Sequence, residues 1–177
     1  ARVARPEMAA EAVCTAMDKA GIDHPQGVLL YLSGEFARDP RPALAAAARA
    51  ANCLQIAGCT AAGLLTEEDW VLDTPAAAAL VLGGGPRFEA PREDRPMLTL
   101  AAPTAPDWHW LAQGGQRYGG VSGDATGQGP YQVWCNGRVQ AAGRCEQAFG
   151  GVRTRVGVSL GVRPLCLGRV DSGWVVA

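Results

Sequence analysis

The sequence is short of lysine, of histidine and of paired cysteine spacings. Lys19 is the only lysine, and His24 and His109 are the only histidines. Acidic and basic side chains nearly cancel, leaving a formal charge of -1. A chain that neutralised nucleic-acid phosphates would carry a basic patch or stripe. Here Asp and Glu are scattered among the arginines, so no nucleic-acid partner is expected. No apolar run approaches the ~18 residues of a membrane span, and Ala1–Ala10 carries Arg2, Arg5 and Glu7 where a signal sequence would need an apolar core. The expectation is a cytoplasmic protein with no membrane partner.

Six cysteines occur, Cys14, Cys53, Cys59, Cys135, Cys145 and Cys166, with no CxxC among them. That spacing, with two distant histidines, does not suit a structural zinc site. Reduced and mostly buried thiols are expected, with no structural disulfide. Folding does not need a staple, since a domain of this size buries about 70% of its extended surface.

What is present is alanine, glycine and periodic apolar sequence. Met8, Ala12, Val13, Ala16, Met17 and Ala20 recur at helical spacing, which predicts a helix over 7–20 closed by Gly21. Gly27–Ser33 is nearly continuous apolar sequence and reads as a strand covered on both faces. Asp39 and two prolines open an alanine-rich helix over 41–52. Further strands are expected over 53–58, 76–82 and 97–101, with 86–96 as loop. Residues 102–130 hold a cluster of glycines and read as irregular.

The last third reads as β. Asn136-Gly137 between Tyr131–Cys135 and Arg138–Ala142 is the preferred type I′ hairpin turn. The alternation over Val152–Leu160 predicts a half-buried strand, and 165–170 and 173–176 are expected to continue the same sheet. The chain ends inside apolar strand-like sequence, which suggests that the natural protein continues. The fold class is therefore mixed α+β, a layered domain with two N-terminal helices and a mixed, largely antiparallel sheet.

Four stretches, in order, carry a resemblance: Gly27–Glu35, Ile56–Gly63, Gly119–Asp124 and Val158–Leu165. They match an apolar strand ending in a small polar residue, a Gly-Cys-Thr-x-x-Gly turn, a Gly-Gly turn with an Asp, and a late Gly-x-x-Pro-Leu segment. Together they resemble the N-terminal domain of the FIST family. In this chain the glycine after Pro164-Leu165 is displaced to Gly168. The resemblance implies an intracellular sensory module that binds a small ligand, an amino acid among the options. It also implies a partner, either a C-terminal FIST domain, which is absent here, or another signalling protein. Some members of the family are linked to haem.

Two glycine-rich segments are the candidate ligand site. Gly58, Cys59, Thr60 and Gly63 would form a turn after a strand, where backbone N–H groups can hold an anion and lower a thiol pKa. Cys59 would then be a contact or a nucleophile, or a small buried hydrophobe. Gly120, Ser122, Gly123 and Asp124 would place a hydroxyl and a carboxylate at a pocket mouth, or fold into an Asx-type turn. His109, between Trp108 and Trp110, is a remote candidate for a haem ligand. Gly157–Gly161 spells a hydrolase elbow, but Pro164 follows where a helix is needed and no histidine lies downstream. Gly83-Gly84-Gly85 lacks a phosphate-loop lysine and reads as a strand stop. No catalytic residue is expected. The rival classes are a cysteine-dependent enzyme, a haem-based gas sensor and a protein-interaction scaffold.

Overall fold

The computed structural model describes residues 3–105, 107–124, 126–158, 167–170 and 173–176. In chain order the elements are α1 (Glu7–Ala20), β1 (Gly27–Ser33), a short 3-10 turn (Gly34–Phe36), α2 (Arg41–Ala51), β2 (Ile56–Ala61), β3 (Gly63–Leu65), β4 (Trp70–Leu72), β5 (Ala77–Leu82), β6 (Arg87–Glu89) and β7 (Met97–Ala101). There follow α3 (Trp108–Leu111), β8 (Arg117–Val121), β9 (Val133–Cys135), β10 (Arg138–Val139), β11 (Arg144–Gly150), β12 (Leu167–Val170) and β13 (Gly173–Val176).

A five-stranded sheet runs β10-β9-β2-β1-β5, and a four-stranded sheet runs β6-β11-β7-β8. The pairs β1/β2 and β7/β8 are parallel, and the remaining pairs within these two sheets are antiparallel. This is the mixed α+β class, with strands split between two stacked sheets.

The apolar run of β1 explains the layering. Alternate side chains leave opposite faces of a strand. Val28, Leu30 and Leu32 pack with Val13, Leu44, Ala47, Ile56 and Trp134 under the two helices. Leu29 and Tyr31 point the other way, into a second core with Cys59, Leu98, Leu100, Val133 and Cys145. The order through the molecule is thus helices, five-stranded sheet, four-stranded sheet.

Both helices begin and end near the expected residues. Gly21 closes α1 in the left-handed conformation, and Asn52 closes α2 in the same way. Asp39 gives no cap to α2 through its second or third turn residue. Its Oδ1 instead accepts from the Arg41 backbone N–H at 3.3 Å and the Arg41 Nε at 2.6 Å. Asn136 and Gly137 have φ 51° and 69°, as a type I′ turn requires.

Several expectations are corrected. The second strand runs over Ile56–Ala61, three residues later than 53–58, because Cys53 still bonds back to Ala48 at the end of α2. The segment 86–96 contains β6, and 102–130 contains α3 and β8. No strand forms over 152–158, where Val152 and Val158 are 45% and 88% exposed. The strand lies one segment earlier, in β11, whose polar and charged residues hide its period. The chain's last described strands do not continue either larger sheet; β12 and β13 pair only with each other. Residues 159–166, which include the end of the expected strand, lie outside the described residues. Among the described residues no helix is long and apolar enough to cross a membrane.

Gly58 lies at the centre of the helix-covered sheet, between Leu30 of β1 and Trp134 of β9. A Cβ there would run into the Leu30 carbonyl and come within 2.6 Å of Trp134 Nε1. Gly58→Ala is expected to destabilise the protein by about 3 kcal/mol or more, by overpacking against backbone that cannot yield. Gly120→Ala meets nothing within 4 Å and should stay within about 0.5 kcal/mol. Urea unfolding of the two variants checks the contrast.

Candidate functional site

The two glycine-rich segments meet, through buried hydroxyls. Residues 58–61 are not a turn; they complete β2. Thr60 and Ser122 are both buried, and their hydroxyl oxygens stand 2.8 Å apart. The Ser122 hydroxyl donates to the Thr60 carbonyl at 2.8 Å, so the shared hydrogen comes from Thr60. The Gln132 N–H donates to Thr60 Oγ1 at 3.1 Å, and the Gly123 N–H to the Thr60 carbonyl at 3.4 Å. These groups satisfy one another and hold the 122–124 segment against the end of β2. Gly63 lies beyond, in β3, against the Leu72 side chain.

Asp124 closes its own loop. It accepts from the Thr126 hydroxyl at 2.7 Å and from the N–H groups of Gly127 and Gly129 at 2.6 and 3.0 Å. Chiefly the Thr126 bond, and then the two backbone bonds, hold its carboxyl below the ordinary carboxylate range. The Asx-type turn is therefore present. The loop still forms one wall of a recess of about 270 Å³, lined by Gly34, Glu35, Ala62, Asp73, Asp124 and Gly129 among others. Gly34-Glu35 directly follows β1, and Ala62 directly follows β2. The recess thus opens at the carboxyl ends of two parallel strands, the usual place for a ligand in an open α/β sheet. Glu35 and Asp73 are exposed at its rim, and none of the three carboxylates makes an ion pair among the described residues.

Glu35 and Asp73 are additions to the residues singled out from sequence. Glu35 had a signal, since it follows an apolar strand that runs parallel to its neighbour. Asp73 had none. It arrives because the β3–β4 hairpin doubles back, and it takes a left-handed φ of 54° at the hairpin's exit.

Gly120 faces a different recess. Thr99, Trp110, Arg117, Gly119, Gly120 and Val121 line a shallow slot of about 250 Å³ on the outer face of the four-stranded sheet. Trp110 is buried there, between the guanidinium groups of Arg117 and Arg144 at 5.4 and 5.1 Å from its ring centre. The neighbouring His109 is exposed on α3. The expected single pocket is thus two recesses, and neither Thr60 nor Ser122 lines one.

Cys59 belongs to the core between the sheets. It is buried, and burial pushes its thiol up to about 12, opposite to the lowering expected of a helical turn. His24 and His109 are exposed on other segments. Gly157 and Val158 of the elbow-like sequence carry no regular structure, and Ser159–Gly161 lie outside the described residues. Among the described residues no three His, Cys, Asp or Glu side chains group as a metal site. Comparison with family models, curated proteins and solved structures finds no match.

The hydroxyl bonds predict an asymmetry. Thr60→Val keeps shape but strands the Gln132 N–H and takes the donor from the Ser122 oxygen, whose own hydrogen stays on the Thr60 carbonyl, costing about 1–3 kcal/mol. Ser122→Ala leaves the Thr60 carbonyl its bond from Gly123 and lets the Thr60 hydroxyl turn to the Gln132 carbonyl at 3.5 Å, costing about 1 kcal/mol. Denaturant titration of the two variants measures the order.

Proposed function

We propose that this chain is an intracellular sensory domain that binds a small amine-bearing metabolite, an amino acid or a close relative, and passes occupancy to a signalling partner. The observation that carries the reading is the recess at the carboxyl ends of β1 and β2, with Glu35, Asp73 and Asp124 around it. Three carboxylates without ion-pair partners among the described residues favour a cation. The volume, about 270 Å³, lies just under the range of drug-sized pockets and suits a molecule of amino-acid size. The backbone of Gly34 and Gly129 at the wall leaves room for close approach to main-chain polar groups. The resemblance to the FIST N-terminal domain supports the sensory part of the reading. No residue at the recess has the nucleophile-and-base geometry of covalent catalysis, so the reading assigns binding and no reaction.

Calorimetric or NMR titration with a panel of amino acids and simple amines tests this. Amine-bearing ligands should bind and the matching deaminated carboxylic acids should not. Glu35→Gln and Asp73→Asn, which leave the Asp124 loop bonds intact, should each weaken binding by about 1.5–3 kcal/mol where a charged hydrogen bond is lost. Unchanged affinity in both variants would remove the recess as the site.

A further inference from the structure

The core between the two sheets contains a thiol pair of unequal exposure. On β9, Val133 and Cys135 alternate with Trp134, which is turned to the helices. Cys135 therefore faces the four-stranded sheet. Cys145 on β11 faces back into the same core and is buried. The two thiols thus share one core, on neighbouring strands of facing sheets. Gln147, also buried and two residues further along β11, turns its side chain the same way. Its Nε2 donates to Cys135 Sγ at 3.0 Å and lies 3.4 Å from Asn136 Oδ1. Cys135 thus receives an amide donor, while its residue is only half-buried. A hydrogen bond donated to sulfur stabilises its thiolate.

We propose that Cys135 and Cys145 are a peroxide-responsive thiol pair, Cys135 taking the oxidising equivalent and Cys145 closing a disulfide between the two sheets. The Cys135 thiolate attacks one oxygen of a hydroperoxide. The O–O bond breaks, and the leaving hydroxide or alkoxide takes a proton. Cys135 is now a sulfenic acid, oxidised by two electrons, and the peroxide is reduced to water or alcohol. The Cys145 sulfur then attacks the Cys135 sulfur and the S–O bond breaks. The departing hydroxide leaves as water with the Cys145 proton. Overall, two thiols and one peroxide give a disulfide, one water, and a second water or alcohol.

The surroundings fit these roles. The neighbouring Cys145 thiol first, and then Gln147 and the Asn136 backbone, hold the Cys135 thiol below its ordinary value. The neighbouring Cys135 and burial push the Cys145 thiol upward. Cys59 lies in the same core, but its buried, protonated thiol makes a poor first nucleophile. The product would tie β9 of one sheet covalently to β11 of the other.

The test treats the reduced whole chain with a small excess of hydrogen peroxide, then alkylates, digests without reductant and maps the peptides by mass. The expected product joins Cys135 to Cys145, removes two alkylatable thiols and is reversed by dithiothreitol. Its rate should climb with pH as the Cys135 thiol ionises. Cys145→Ser should leave a dimedone-reactive sulfenic acid at Cys135, and Cys135→Ser should leave Cys145 reduced. A link between any other pair would overturn the proposal, as would over-oxidation of Cys135 beside an alkylatable Cys145, or six free thiols after treatment. The wild-type map alone decides among these outcomes, whether or not a variant folds.

Discussion

The absence of a side chain at Gly58 is the constraint from which the rest of the layout follows. β2 is the strand next to which both β1 and β9 must lie. At Gly58 the Leu30 carbonyl approaches from one side and the Trp134 indole from the other. Because Trp134 can settle there, fully buried against Leu44 and Ile56, β9 is held in a single register. That register turns Val133 and Cys135 to the second sheet and delivers Gln132 to Thr60. The buried hydroxyl bonds, the inter-sheet thiols and the placement of the 122–129 segment are consequences of where one indole packs.

Legibility from sequence tracks how local each cause was. The span of α1, the span of β1 and the Asn136-Gly137 turn were readable because capping, burial on both faces and turn chemistry act over a few residues. β11 was missed because Arg144, Glu146 and Gln147 break its apolar period. Its burial is supplied by pairing with β6 and β7, both distant in sequence. β8 was hidden by glycines, one of which, Gly119, is needed where the Thr99 backbone comes too close for a Cβ. Val152–Val158 showed the reverse error: a period of two with no strand to pair with. The proximity of Thr60 to Ser122 was expected, but that they would consume one another's hydrogen bonds was not, because only coordinates tell a lining group from a fastening one. Asp73 could not be found at all without the hairpin that carries it.

The charged surface contributes unevenly to this arrangement. Lys19 with Glu67 and Glu68, and Arg92 with Asp94, are well exposed, and solvent screening leaves such pairs little to contribute. Arg117 with Glu146 is different. At 2.7 Å and with both side chains 20% exposed or less, it is shielded from solvent, and the same guanidinium lies over Trp110. The sheet edge at β8 is thereby anchored on its outer face by one arginine that serves an ion pair and a ring together.

The alanine-rich helices have a consequence for how this protein tolerates change. Ala43, Ala46, Ala47 and Ala51 of α2 and Ala9 of α1 are buried, yet each brings little apolar area. Small side chains let the helices lie close on the sheet, and the hydrophobic driving force falls to the few large groups at that interface, Trp134, Leu30, Leu32, Ile56 and, on α2 itself, Leu44. Mutational sensitivity should therefore be sharply graded. The exposed faces of the helices can vary with little effect, while the buried alanines leave no room for a larger side chain and the five large residues no room for a smaller one.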